Sequence, residues 1–343
     1  PKKFMNILAI DIGAGTQDIM AYDDKKGFDN AYKLVLPSPT RFFAEEVRKS
    51  KEDLVIFGDT MGGGPFTRAV LAHLRKYKVF MTEIAARTLR DDLEIVKNYG
   101  IEIVSEDEVE SMSEKAKPIR ISDLNLGLLP FLSSFGVDTS FDVIAIAVQD
   151  HGVAPQGVTD RENRFRLIEE KVGGGIESFA YLDGVPENLS RMHSIFESVK
   201  RWHKGHILMM DTGPAAVLGS LEDERMKEKK RVACVNVGNA HTIAMSLNEK
   251  RIAGVFEHHT KLLDKQRLAY YIKKLSDGTI TFKEVFDDGG HGALAIEENQ
   301  PEIISLTGPK RAKMKGLGIF SAPAGDMMMT GPVGLIRAVL KSI

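Results

Sequence analysis

Apolar and polar positions alternate in two rhythms along the 343 residues. Runs rich in Val, Ile and Leu, alternating or unbroken, predict strands; apolar positions three and four apart predict helices. By this rule residues 7–12, 17–22 and 32–36 form three consecutive strands, followed by a helix over 41–49 with Thr40 as its N-cap. Strands over 53–59, 78–82 and 101–104 alternate with helices over 66–76 and 87–99. The stretch 105–117 is acidic and polar with no clear period, which predicts a surface excursion. Next come a helix over 124–134, a strand over 141–152, helices over 161–171 and 187–202, and a strand over 206–211. The opening stretch 1–6 leads straight into the first strand with no apolar leader.

From residue 231 the pattern restarts. Strands over 232–237, 241–247 and 252–258 precede a helix over 262–275, repeating the opening order of strand, strand, strand, helix. Alternating strands and helices predict an α/β protein. The restart predicts two related lobes, 1–155 and 156–343, with a C-terminal helix free to pack back on the first.

Each lobe opens with a broken strand. "ILAIDIGAGTQDIMAYD" interrupts an apolar run with Asp11, Gly13 and Gly15, and "VACVNVGNAHTIAMSL" does so with Asn236 and Gly238. Glycine belongs where a tight turn needs positive φ or close approach. Successive backbone N–H groups in such a turn form a concave anion site. An acid ending the preceding strand can hold Mg²⁺, usually through water, and Asp11 is placed for that. Thr16 and Gln17 can add hydrogen bonds.

These residues carry a resemblance. The chain is similar to the actin, hexokinase and heat-shock-chaperone ATPases, which share two ribonuclease-H-like lobes around a central nucleotide cleft. Their first phosphate motif matches Asp11-Ile12-Gly13-Ala14-Gly15-Thr16, and their second matches Asn236-Val237-Gly238-Asn239-Ala240-His241-Thr242. The resemblance implies ATP and Mg²⁺ as cofactors, with Asp11 as metal ligand. It implies Asp150 as general base at the end of the strand over 141–152, Gln149 as water-orienting alternative and His151 third. It puts Thr307, Gly308 and Pro309, after "EIISL", beside adenosine. One departure stands out: Asn236 replaces the usual aspartate, and an amide binds metal more weakly than a carboxylate. The implied activity is an ATP-dependent phosphotransferase or ATPase of unknown acceptor. The alternatives are a nucleotide-responsive regulator or scaffold with negligible turnover, and a hydrolase on the same lobes. The whole chain also resembles a mainly archaeal family whose members tend to carry a pyruvate formate-lyase activating enzyme label. That radical chemistry requires a Cys-x3-Cys-x2-Cys motif, and the chain has one cysteine, Cys234, in the apolar run "VACVNV".

Composition narrows the partners. A net charge of −2 gives no electrostatic case for nucleic acid or an anionic membrane, and no apolar run approaches a spanning helix. The expected partners are a nucleotide and a small-molecule substrate in the cytoplasm, with homo-oligomerisation left open. Asp211-Thr212-Gly213 matches the aspartic protease signature, but that architecture is all-β. His258 and His259, adjacent in a strand, point to opposite faces and cannot both ligate one ion without a bend. His291 sits in the glycine-rich stretch "DDGGHGA", which predicts a flexible loop.

Overall fold

The computed structural model describes residues 4–125 and 127–343; residues 1–3, in the opening stretch 1–6, and Leu126, in the helix expected over 124–134, lie outside the described residues. The chain opens with β1 (Asn6–Ile12), β2 (Thr16–Asp23) and β3 (Tyr32–Pro37), then α1 (Pro39–Lys49). Next come β4 (Leu54–Gly58), α2 (Pro65–His73), β5 (Val79–Thr82), α3 (Glu83–Ala86), α4 (Leu93–Asn98), β6 (Glu102–Val104), α5 (Val109–Ser113) and β7 (Lys117–Ile121). These lead to α6 (Leu128–Ser134), β8 (Val143–Val148), α7 (Asp160–Glu169), β9 (Ala180–Leu182), α8 (Ser190–Lys200), β10 (His206–Met210) and α9 (Thr212–Ser220). The remainder is β11 (Arg231–Val237), β12 (His241–Asn248), β13 (Arg251–His259), α10 (Lys265–Ser276), α11 (Phe282–Asp287), β14 (Gly292–Ala295), β15 (Ile303–Thr307), β16 (Ile319–Phe320) and α12 (Thr330–Ser342).

Two six-stranded sheets share one plan. The first has the order β3-β2-β1-β8-β10-β9, the second β14-β13-β12-β11-β15-β16. In each, three antiparallel strands are joined at the first of them by parallel strands: β1 by β8 and then β10, β11 by β15 and then β16. That order in both sheets is the ribonuclease-H-like arrangement of the actin-like ATPase fold. The first sheet takes in strands as far along as Met210, so its membership runs past residue 155.

A third sheet, all parallel in the order β6-β5-β4-β7, is inserted between β3 and β8 with a core of its own. Here the structure departs from the sequence reading. The helix expected over 87–99 is confined to α4, with α3 ending before it begins, because Asp92 takes an N-cap conformation and its Oδ1 accepts from Glu94 N–H at 2.9 Å. The expected excursion over 105–117 folds as helical turns, opened by a capping box between Ser105 and Glu108, and β7 follows. The N-cap of α1 is Ser38, and Thr40 instead hydrogen-bonds the carbonyls of Gly62 and Gly63.

One apolar core lies between the two large sheets and encloses α9 and α12. α9 packs mainly on β11, β12 and β15 of the second sheet and also touches β8 of the first, whereas α12 packs on β1, β2, β8 and β10 of the first. The two helices cross in backbone contact. A β-carbon at Gly219 would run into the Thr330 carbonyl oxygen, and one at Gly334 into that of Ala215. Further apolar clusters back the outer face of each sheet, under α6 and α8 on one side and α10 on the other. Among the described residues no helix is long and apolar enough to cross a membrane.

Candidate functional site

The β1–β2 and β11–β12 hairpins line one cavity of about 820 Å³. The same turn closes both. Gly13 N–H donates to Thr16 O at 2.9 Å, and Gly238 N–H donates to His241 O at 3.0 Å. Asp11, Gly13, Ala14 and Thr16 line the cavity from the first hairpin, and Asn236, Gly238 and Asn239 from the second. Gln149 and Asp150, past the end of β8, and Thr307 and Gly308, at the end of β15, complete this lining set.

Three expected residues lie elsewhere. Gln17 Nε2 donates to Pro37 O at 3.1 Å, along the strand pair rather than into the cavity. Thr242 is buried inside the second sheet, its hydroxyl 2.9 Å from that of Thr260. Gly15 sits where the hairpins touch: a β-carbon there would run into the Asn239 side-chain amide. Its task is to let the two turns approach.

The acidic group is larger than Asp11. Asp18 stands directly across from it in the β1–β2 register and also lines the cavity. Like charges opposite one another repel. Burial raises the Asp11 carboxyl from 3.8 to about 7, against a hydrogen bond from Thr212 Oγ1 at 2.5 Å. Burial, then the Asp11 charge, raises that of Asp18 to about 8. Asp18 Oδ1 is buried without a hydrogen-bond partner. A cation held between the two would remove both penalties, and carboxylate oxygens suit Mg²⁺.

Asp150 has other work. Its Oδ1 accepts from Gly152 N–H at 2.8 Å and its Oδ2 from Met192 N–H at 2.9 Å, so it anchors the start of α8. With both oxygens engaged by backbone, it is a poor acceptor for a substrate proton. Gln149 keeps its Nε2 without a hydrogen-bond partner, while its carbonyl accepts from Arg191 Nη1 at 2.9 Å. Arg191 also pairs through Nε and Nη2 with Asp123, at 2.7 and 3.0 Å, tying α8 to the inserted unit.

The floor of the cavity is ionic. Arg164, on α7, is 3% exposed. It pairs with both oxygens of Asp211, and its Nε and Nη2 reach Glu257 at 3.1 and 2.9 Å. Nη1 also donates to Asp150 O at 3.0 Å. Asp211 caps α9 after the first sheet, and Glu257 belongs to β13 of the second, so one guanidinium joins the two sheets. Burial works to raise the Glu257 carboxyl, yet the charge and hydrogen bonds of the Arg164 guanidinium hold it well below the usual range.

The histidine reading changes. His258 and His259 do part: His258 meets Asp288 at 3.2 Å, whereas the His259 ring lies 4.9 Å from that of His241. His291 is not on a loose loop; it is 0% exposed, because its N–H pairs with Glu257 O at 2.9 Å just before β14. Around it gather His151 and His241. Burial lowers these imidazoles to about 3 for His151, 4 for His241 and 3 for His291, so all three are neutral near pH 7. Cys234 is buried in β11, and burial pushes its thiol up to about 12.

Sequence reading missed Asp18, Arg164, Arg191 and Glu257. A lone acid inside an apolar strand was the available signal for Asp18 and Glu257, because such residues are seldom buried unpaired. Arg164 lies in a helix so charged that it reads as surface.

No curated protein matches the chain. Among solved structures it is similar to the Lmo2764 protein from Listeria monocytogenes, at 9% identity and TM-score 0.38, over 98% of this chain and 99% of that one. It is similar to the ROK hexokinase from Thermus thermophilus, at 9% identity and TM-score 0.35, over 98% and 100%. A third is MreB5 of Spiroplasma citri bound to ADP, at 10% identity and TM-score 0.32, over 98% and 97%. A family profile matches residues 61–313, a span that includes Arg164, the second hairpin and all three clustered histidines, and the chain belongs to that family, described as "Putative pyruvate format-lyase activating enzyme (DUF1786)".

Proposed function

We propose that the cavity binds a nucleoside triphosphate with Mg²⁺ and that the protein is an ATP-dependent phosphotransferase or ATPase. The observation that carries this reading is the pair of identically closed glycine turns lining one cavity, with the Asp11–Asp18 pair at the base of the first. Backbone N–H groups of the two turns would hold the phosphates. Asp11 and Asp18 would hold Mg²⁺, which supplies charge neutralisation for phosphoryl transfer. Thr307 and Gly308, which line the cavity at the end of β15, would contact the adenosine. Gln149, rather than Asp150, is the group free to orient an attacking hydroxyl or water.

Radical activation of pyruvate formate-lyase, the activity in the family's description, is not supported by this chain's chemistry. A cluster held by several thiolates cannot be built from one buried thiol. A second reading, a nucleotide-responsive regulator with negligible turnover, is favoured by Asn236 in place of a carboxylate. Melting temperature with ATP or ADP, with and without Mg²⁺, tests the proposal. A ligand that binds only the native state at one hundred times its Kd stabilises by about 2.7 kcal/mol. Asp11→Ala should abolish the Mg²⁺-dependent part of that shift. The absence of any shift with millimolar nucleotide would refute the reading, and a shift without hydrolysis would select the regulator.

A further inference from the structure

We propose that His151, His241 and His291 form a three-imidazole site for a divalent transition-metal ion of the Zn²⁺ class, beside the cavity and separate from the Asp11–Asp18 pair. One nitrogen from each lies within 4.8 Å of the other two. The three come from distant parts of the chain: past the end of β8, at the start of β12 and just before β14. Hydrogen bonding of its main chain holds each. Asn163 Nδ2 donates to His151 O at 2.8 Å, His241 pairs with His259 in the β12–β13 register, and His291 N–H reaches Glu257 O.

The polar accounting points to a ligand. Both ring nitrogens of fully buried His291 lack a hydrogen-bond partner, as does Nδ1 of His241. A buried polar group left unmade costs about 1–3 kcal/mol. One cation at the centre of the three rings would engage one lone pair from each ring, and the remaining His291 nitrogen, as N–H, would be left for a hydrogen-bond acceptor. Tetrahedral coordination at the usual Zn–N length separates ligand nitrogens by about 3.3 Å, so the rings must close inward by rotamer adjustment.

The surroundings match a metal-bound histidine. Glu257 Oε2 lies 3.6 Å from His291 Nδ1, and Arg164 holds that carboxylate in place. That separation is just outside hydrogen-bond range; a small inward turn of the ring would let the carboxylate accept from the Nδ1 N–H, fix the tautomer and leave Nε2 to ligate. The donor set selects the metal: imidazoles suit Zn²⁺, Co²⁺, Ni²⁺ and Cu²⁺, whereas Mg²⁺ prefers the oxygens of Asp11 and Asp18. His151 and His241 line the cavity, so the fourth position faces it. Three histidines with an open position are the pattern of an ion that meets water or substrate. The His259 ring, 4.8 Å from that of His291, is the remaining imidazole within reach.

The test uses the full chain without a histidine tag, stripped with a chelator and titrated with Zn²⁺ and, separately, Co²⁺. The expected result is one equivalent of Zn²⁺ and a Co²⁺ spectrum with the intense visible bands of four-coordinate cobalt. His151→Gln, His241→Gln and His291→Gln should each weaken Zn²⁺ binding by about 100-fold or more, and Glu257→Gln, which acts through His291, by about 10–100-fold. The exposed His206→Gln should leave it unchanged, and Asp11→Asn should alter Mg²⁺ and nucleotide binding but not Zn²⁺ binding. The inference is overturned if the wild-type chain takes up no more Zn²⁺ than the His151→Gln/His241→Gln/His291→Gln triple variant, or if bound Co²⁺ shows only the weak six-coordinate spectrum. The wild-type cobalt spectrum decides even where a variant fails to fold.

Discussion

Replacing Arg164 by Met should destabilise the protein more than any other single charge removal around the cavity. The methionine fills much of the aliphatic volume but leaves Asp211, 4% exposed, and Glu257, 2% exposed, without their shared cation. Removing one partner of a buried pair costs about 3–5 kcal/mol, because the remaining charge is left uncompensated. With unfolding entropy scaled to this chain length, that is a fall in Tm of about 4–7 °C. Differential scanning calorimetry reads it directly. Arg164→Lys should recover only part of the loss, since a single ammonium cannot bridge both carboxylates as the fork does. Acid should narrow the gap: without the guanidinium, burial raises the Glu257 carboxyl, and protonation then removes the stranded charge. Adding Asp211→Asn and Glu257→Gln to Arg164→Met should restore most of the stability. A Tm within about 1 °C of wild type for Arg164→Met, or no recovery in the triple variant, would refute the assignment of this network as the joint between the sheets.

Two further outcomes follow from the acidic pair and from Asn236. Asp11 and Asp18 bind protons more tightly in the fold, about 7 and 8 against 3.8, so the native state carries extra protons between those values. Stability should therefore fall as pH rises from 4 towards 8, by up to about 1.4 kcal/mol per pH unit for each group. Mg²⁺ should restore it at pH 8 and do little at pH 5, and Asp18→Asn should flatten the profile; a Mg²⁺ effect equal at both pH values would contradict the cation site. Asn236→Asp should tighten Mg²⁺-dependent nucleotide binding or raise basal hydrolysis if the lobes close on Mg·ATP. Weaker binding at every Mg²⁺ concentration in a titration would sink the ATPase version.

The repeated strand plan was legible because its cues are local. An apolar strand broken at Asp11-Ile12-Gly13 or Asn236-Val237-Gly238 announces its turn without reference to the rest of the chain. The inserted sheet was only half visible. Its strands are short, and which sheet a buried parallel strand joins is a long-range matter that periodicity does not encode. β7 escaped notice because Lys117, Pro118 and Arg120 dilute its apolar pattern, a composition an edge strand tolerates. Asp150 lines the cavity, but its oxygens are taken by the N–H groups of Gly152 and Met192, and the second of these lies 42 residues further along the chain, where local sequence does not show it. The histidine cluster lay further still from view: glycines around His291 suggested looseness, whereas pairing to β13 buries it.

The exchange of helices between the sheets has a consequence for how the molecule holds together. α9 follows the first sheet in the chain yet packs mainly on the second, and α12 follows the second yet packs on the first. Neither half can therefore retain its own lining if the other departs, which makes the pair one thermodynamic object despite its doubled plan. At the crossing, Gly219 and Gly334 set backbone against backbone, with no layer of side chains between. A side chain at either glycine would meet the other helix's carbonyl, so it would wedge the two helices, and with them the two sheets, apart.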